Sequence, residues 1–310
     1  MIDTFNHMPE LILHHYPTSP LSEKIRVILG LKKLSWHSVE IPNLPPKPDV
    51  IPLTGGYRRT PVMQVGADVF CDSQLILSEL ECHKPSKTNN TGLVQIINRW
   101  CDDLFHPVVK VAIAAASTEL PKEFLEDRRK LFLNEYEDIE SAKARIPYYI
   151  AQVRAQLAWA ETSLREQKGF IIGSSASIAD ASLFALTWFI RRRWKNGADF
   201  LGAFPNICLW EESVKKIGHG TPTDMTSEKA LDIAKEAETN FKAQSAANDI
   251  DSLSIGDKVS ITPKGNTGEN GVQGSVHTLD SNRIGLLHEN DRVGTICIHF
   301  PKIGYVVERI

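Results

Sequence analysis

Apolar positions recur with different periods in successive stretches of the chain. Residues 11–41 read as strand, helix and strand. "LILHH" is a short apolar run, "PLSEKIRVILGLKK" sets Leu21, Ile25, Ile28 and Leu29 at helical spacing, and "SWHSVEI" alternates. This order predicts two parallel strands joined by a crossover helix. The next fifteen residues, "PNLPPKPDVIPLTGG", hold five prolines and two glycines, which predicts an irregular surface loop. "PVMQV", "GAD" and "VFC" then read as a β-hairpin, followed by a helix from near Ser73 that ends before "KPSKTNNTG". These elements form a first α/β unit over residues 1–85.

After a polar linker at 84–92 the pattern turns helical, giving an expected all-α bundle over residues 92–245. "LVQIINRWCDDLFHPVVKVAIAAA" and "IPYYIAQVRAQLAWAETSLREQ" are long and amphipathic, with Pro107 an expected kink in the first. "SSASIADASLFALTWFIRRRW" opens with Ser177 and Asp180, a carboxylate form of the capping box, and is apolar around nearly its whole circumference. Such a helix belongs at the centre of its domain, with Arg191, Arg192, Arg193 and Lys195 complementing its dipole and meeting solvent. From about residue 250 alternation returns between Gly, Asn and Asp turns, predicting a third, all-β module over 250–310, a small barrel.

A length of 310 residues agrees with two or three domains. The formal charge of −3 offers no basic field for nucleic acid or anionic lipid, which directs attention to small molecules or proteins as partners. Five widely spaced cysteines without a Cys-x-x-Cys or zinc spacing read as free thiols in a reducing compartment, and no metal is expected. The first residues lack a basic region followed by an apolar core, and no run reaches the roughly 18 apolar residues of a membrane span. A cytoplasmic protein with no membrane partner is the expectation.

Three short motifs remain. "SPLS" at Ser19 opens the first helix, Thr60-Pro61-Val62 opens the hairpin, and Asp72-Ser73 opens the last helix of the α/β unit. In this order and spacing, with a helical domain carrying the Ser177–Asp180 box, residues 10–235 resemble cytosolic glutathione transferases, in particular tau-like and omega-like members. The resemblance implies a thioredoxin-like domain, a helical domain, a homodimer, and glutathione as co-substrate with an apolar electrophile. The β-module at 250–310 lies outside the common pattern of that family.

The resemblance also assigns roles. A free thiol has a pKa of about 8.5, so glutathione needs a thiolate stabiliser near neutrality. Ser19 is the expected hydroxyl donor, assisted by the N-terminus of the helix that starts at Pro20. Tyr16 and Ser22 are the competing hydroxyls. Thr60, held by an expected cis bond to Pro61, is to pair with the cysteinyl backbone. Ser73 is to take the γ-glutamyl carboxylate and Asp72 the ammonium, although most members of the family carry Glu at the Asp72 position. Lys47, Arg58 and Arg59 are the cations for the glycyl carboxylate, with Arg59 preferred. Serine where omega-like members carry cysteine implies conjugation or peroxide reduction rather than thiol exchange.

Leu21, Trp100, Asp103 and His106, with Arg99, are expected to line the electrophile pocket between the two domains. His14 and His15 read as core-edge groups rather than metal ligands. Two function classes stand: a glutathione transferase, and a non-catalytic assembly module whose barrel holds a protein partner. The glutathione site is expected to form without residues 250–310.

Overall fold

The computed structural model describes residues 10–86, 90–133, 137–245, 253–265 and 269–310. The expected boundary at 250 and the first nine residues lie outside these. The α/β unit runs β1 (Ile12–His15), α1 (Pro20–Leu31), β2 (Ser35–Glu40), α2 (Ile51–Thr54), β3 (Val62–Val65), β4 (Asp68–Cys71) and α3 (Ser73–His83). β1 pairs in parallel with β2 and antiparallel with β3, which pairs antiparallel with β4. This is the thioredoxin-like order that the motifs implied. The proline-rich loop is irregular apart from the single turn of α2.

The helical part comprises α4 (Thr91–Ala115), α5 (Lys122–Phe132), α6 (Ile139–Ala144), α7 (Ile146–Gln167), α8 (Ile178–Arg193), α9 (Gly197–Gly202) and α10 (Pro205–Lys215). α4 runs as one helix, with Pro107 inside it. α8 is the buried centre, and Asp180 fastens its start by accepting from the Ser177 amide and hydroxyl at 2.8 Å each. At its other end Arg191 is less solvent-directed than expected, because its guanidinium forks buried Glu211 at 2.6 and 2.8 Å. One apolar core spans α1, α3, one face of the sheet (Leu13, Met63, Phe70) and the helices α4, α7 and α8.

Beyond α10 the chain does something its local pattern did not announce: it returns to the first sheet. β5 (Thr221–Asp224) pairs in parallel with the outer edge of β2, and α11 (Ser227–Glu236) covers the second sheet face with Ala230 against Ile12 and Val39. The return depends on a close crossing, since a Cβ on Gly30 would overlap the Gly218 carbonyl. Trp36 Nε1 secures the crossing by donating to the His219 carbonyl at 2.7 Å.

The C-terminal module comprises β6 (Gln244–Ser245), β7 (Lys258–Pro263), β8 (Val272–Leu279), β9 (Arg283–Asn290), β10 (Gly294–Pro301) and β11 (Tyr305–Arg309). β7 to β11 form an antiparallel array in the order β11-β7-β8-β9-β10, with β6 beside β8. This extra β module is joined to the first unit strand to strand. β10 pairs in parallel with β4, matching Cys297, Ile298 and His299 to Asp68, Val69 and Phe70, so that a single sheet runs from β11 to β5. Its apolar residues form one core with the α/β unit: Val62, Val69 and Cys71 pack with Leu53, Ile261, Leu286, Ile298 and Phe300. Among the described residues no helix is long and apolar enough to cross a membrane.

Two predictions follow from this packing. A chain ending at residue 245 should expose the Val62, Val69 and Cys71 face and lose cooperative unfolding in urea, in contrast to the expectation from the sequence; a retained transition would show the module to be dispensable. The second concerns β1. Burial holds His14 down to about 4, against a hydrogen bond to Gln64, and burial with the Arg26 charge holds His15 at about 4. The unfolded chain, near 6.5, therefore takes up protons first as pH falls. Stability should be complete above that value and decline toward 4, by about 2 kcal/mol per histidine at roughly pH 5. Denaturation at both pH values, with His14→Asn removing about one proton's slope, checks this.

Candidate functional site

Strand directions bring the three motifs to one edge. β1 and β4 are both antiparallel to β3, hence parallel to each other, so the helices that follow them start at the same end of the sheet. Register pairs His14 with Val62 and Val62 with Cys71. The β1–α1 loop, Thr60-Pro61 and Asp72-Ser73 are therefore neighbours across the sheet, and the N-termini of α1 and α3 share that edge. Anion-binding amides and partial positive charge are concentrated there.

Ser19 is buried and caps α1, its Oγ accepting from the Ser22 amide at 3.2 Å. Accepting that bond leaves the hydroxyl proton available for an anion at the same end. Ser22, the competing hydroxyl, is fully buried. The loop that carries Ser19 is held by Arg26, whose Nη2 donates to the Pro17 carbonyl at 3.1 Å and whose Nη1 donates to His15 Nδ1 at 2.9 Å. Arginine can only donate, so His15 is neutral, with Nε2–H facing Ser38 Oγ at 3.0 Å. Arg26 also pairs with buried Glu23 at 2.6 Å, and Glu23 meets His219 at 3.0 Å.

The Thr60–Pro61 bond is cis. Thr60 Oγ1 accepts from Lys47 Nζ at 2.8 Å, and Lys47 also donates to the Arg58 carbonyl at 3.0 Å. Arg58 and Arg128 share Asp127, and Arg128 reaches back to the Asn43 carbonyl at 2.8 Å. Three cations thus surround one carboxylate. Burial, then the Arg128 and Arg58 charges, push Lys47 down to about 8. An anion placed beside it would reverse that shift. A hollow of 480 Å³, walled by residues 45–48, Ile51, Pro52 and the turn 290–292, adjoins Lys47.

Arg59, the preferred cation of the sequence reading, is engaged elsewhere. Glu269 of the C-terminal module forks its guanidinium, with Arg59 Nη2 to Oε2 at 2.5 Å and Nε to both oxygens at 3.0 and 3.1 Å. Asp72 caps α3 with a φ of 77°, its Oδ1 accepting from the Gln74 amide at 2.9 Å. Its Oδ2 accepts from the Tyr305 hydroxyl at 3.0 Å. Ser73 is buried, and among the described residues its hydroxyl has no hydrogen-bond partner.

The residues expected around an electrophile do not converge. Leu21 lies on α1 beside Ser19, half-buried. Trp100 turns to α7, donating to Gln156 Oε1 at 2.8 Å and packing on Trp159, whereas Asp103 pairs with Arg99 on the exposed face and His106 is exposed. It is Asp102, one residue earlier, that faces α1, 3.5 Å from buried Lys24. Sequence reasoning missed Asp102, Arg128, Tyr57, Tyr305 and Glu269. The last two lie about two hundred residues from their partners, where no local pattern can register the contact.

Because Arg26 and Glu23 are both buried, removing one strands the other's charge. Arg26→Met should cost about 3 kcal/mol of stability, and Glu23→Gln/Arg26→Met less than the single change, by urea denaturation.

Known proteins agree with this architecture. Residues 13–88 match the family model of the glutathione S-transferase N-terminal domain, and residues 123–212 match that of the C-terminal domain. A GST-like protein from Pseudomonas syringae is 32% identical, with a TM-score of 0.75 over 97% of this chain and 100% of its own. The beta-etherase LigF from Sphingobium sp. strain SYK-6 shares the fold at 16% identity and a TM-score of 0.52, over 67% of this chain and 98% of its own. A glutathione S-transferase from Methylobacillus flagellatus kt with GSH bound does so at 18% identity and 0.50, over 69% and 100%. No curated protein matches. With both domain models in register along the sheet and bundle, and a third of the residues shared with a solved chain of the same extent, this chain belongs to the glutathione S-transferase superfamily.

Proposed function

We propose that the protein is a glutathione transferase that binds glutathione at the shared edge of β1, β3 and β4, ionises its thiol and adds the thiolate to an apolar electrophile. Peroxide reduction is a second use of the same thiolate. The observation that carries this reading is the Ser19 cap: its oxygen accepts from the Ser22 amide, so its proton is free to meet a sulfur at the positive end of α1. The thiol proton passes to solvent, the sulfur attacks, and Ser19 stays chemically unchanged. A hydroxyl donor and the end of a helix dipole each favour the charged form of the thiol, which lowers its pKa.

The rest of the peptide has a place along the same edge. The Thr60 backbone pairs with the cysteinyl segment. The α3 N-terminus and Ser73 take the γ-glutamyl carboxylate, and Asp72 the ammonium. The glycyl carboxylate goes to Lys47 within the Arg58–Arg128 group, rather than to Arg59, because Glu269 already neutralises Arg59. A cytoplasmic homodimer is part of the same proposal, after the habit of the family.

The reading is tested by the ultraviolet absorbance of bound thiolate against pH. A depressed thiol pKa that rises in Ser19→Ala, with turnover down about 10²-fold, is expected; binding without ionisation would leave Ser19 a helix cap only. Ser73→Ala should weaken glutathione binding by about 10-fold or more, and unchanged affinity would remove it from the site. Binding of S-methylglutathione, which has no thiol to ionise, should weaken roughly tenfold per pH unit above about 8, where Lys47 loses its proton. Lys47→Met should reduce that dependence to the part set by the ligand's own ammonium.

A further inference from the structure

The C-terminal module places two side chains near the α3 end of the shared edge, and both act on charge. Tyr305 of β11 donates its hydroxyl to Asp72 Oδ2 at 3.0 Å, with the Tyr57 hydroxyl oxygen 3.2 Å away. A carboxylate can only accept, so the single Tyr305 proton is committed to Asp72, and Tyr57 donates in turn to Tyr305. Burial, then the negative charge of Asp72, hold both phenols well above their ordinary pKa, and the donor persists at every physiological pH. With Oδ1 engaged by the Gln74 amide, the Asp72 carboxylate is fixed on both oxygens, each retaining lone-pair capacity for a further donor.

Glu269 determines what that carboxylate faces. Arg59 lies within the electrostatic neighbourhood of Tyr57 and Tyr305, the second of which meets Asp72. Left alone, its cation would repel a ligand ammonium and attract the Asp72 carboxylate or the ligand's own. The bidentate pair with Glu269, whose side chain is 5% exposed, cancels it. The α3 end therefore keeps the net negative charge of Asp72. At the other end Lys47, Arg58 and Arg128 outnumber Asp127. The charge left unpaired is thus negative at Asp72 and positive at Lys47.

We propose that Tyr305 and Glu269 make the C-terminal module a specificity element of the peptide site: they present Asp72 as a receptor for a free α-ammonium, so that the protein selects γ-glutamyl peptides with an unblocked amino group. This inference rests on the glutathione reading above and goes beyond it by assigning the module a part in ligand choice. Neither residue touches the reacting sulfur. They are positioning residues, acting through Asp72 and Arg59.

The test is calorimetric titration of the full-length protein with glutathione and with its deaminated analogue, glutaryl-cysteinylglycine, which keeps both carboxylates and lacks only the ammonium. The native protein should prefer glutathione by about 10- to 100-fold, the range of a charge-assisted bond. Tyr305→Phe keeps the ring and its packing on Phe300, and should lower the preference at least threefold while leaving the analogue's affinity unchanged. Glu269→Gln frees Arg59, and should weaken glutathione while strengthening the analogue. A merely structural role would weaken both ligands alike, and an unchanged ratio in Tyr305→Phe overturns the inference even if Glu269→Gln fails to fold. Equal binding of both ligands by the native protein overturns it as well, with the glutathione reading intact. Failure of the native protein to bind glutathione overturns that reading, and this inference with it.

Discussion

The carboxylate of Asp68 sits out of solvent at the start of β4, and both the 239–240 segment and β10 are drawn to it. It accepts from the Thr239 hydroxyl at 2.5 Å, the Asn240 amide at 2.8 Å, the Asn240 side chain at 3.3 Å and His299 Nε2 at 3.1 Å. These hydrogen bonds hold it below its ordinary pKa despite burial, while burial keeps His299 neutral, with Nε2–H as donor. Asp68, Cys297 and His299 also lie within 4.8 Å of one another as a set of ligand types. The four bonds already made to Asp68 account for the cluster as a structural knot. A buried charge with fewer partners would cost several kcal/mol, so the segment at 239–241 and strand β10 are tied to β4.

Once β10 is tied there, the remainder follows from strand geometry. Parallel pairing of β10 with β4 sets the module's apolar face over the Val62 and Val69 side of the first sheet. The same placement brings β11 to the start of α3 and Glu269, just ahead of β8, to Arg59. The module's contacts with Arg59 and Asp72 are thus a consequence of how its edge is buried. An unpaired β4 edge would otherwise be open to association with another chain.

The proposed site divides its charges in two ways. Helix ends and backbone amides supply attraction that costs no reorganisation, while charged side chains are paired in ways that leave a chosen remainder. At the Lys47 end the remainder is positive, because Asp127 is shared by two arginines. At the Asp72 end it is negative, because Arg59 is spent on Glu269. The loop that carries Ser19 is held from beneath by the Arg26 and His15 network.

Local pattern was enough for the strand and helix order of residues 11–83, the central helix with its Ser177–Asp180 start, and the alternation of the last sixty residues. Each of these is set by side-chain period and capping over a few neighbouring positions. The positions of Ser19, Thr60-Pro61 and Asp72-Ser73 were legible for the same reason, as helix starts and a strand opening. Tertiary structure decided the rest. A four-residue strand at 221–224, fully exposed in its side chains, carries no apolar period to announce that it joins β2. The engagement of Arg59 was decided by Glu269, and the tie on Asp72 by Tyr305. Those pairings join residues more than two hundred positions apart, and a local hydrophobic period holds no information about charge pairing at that distance.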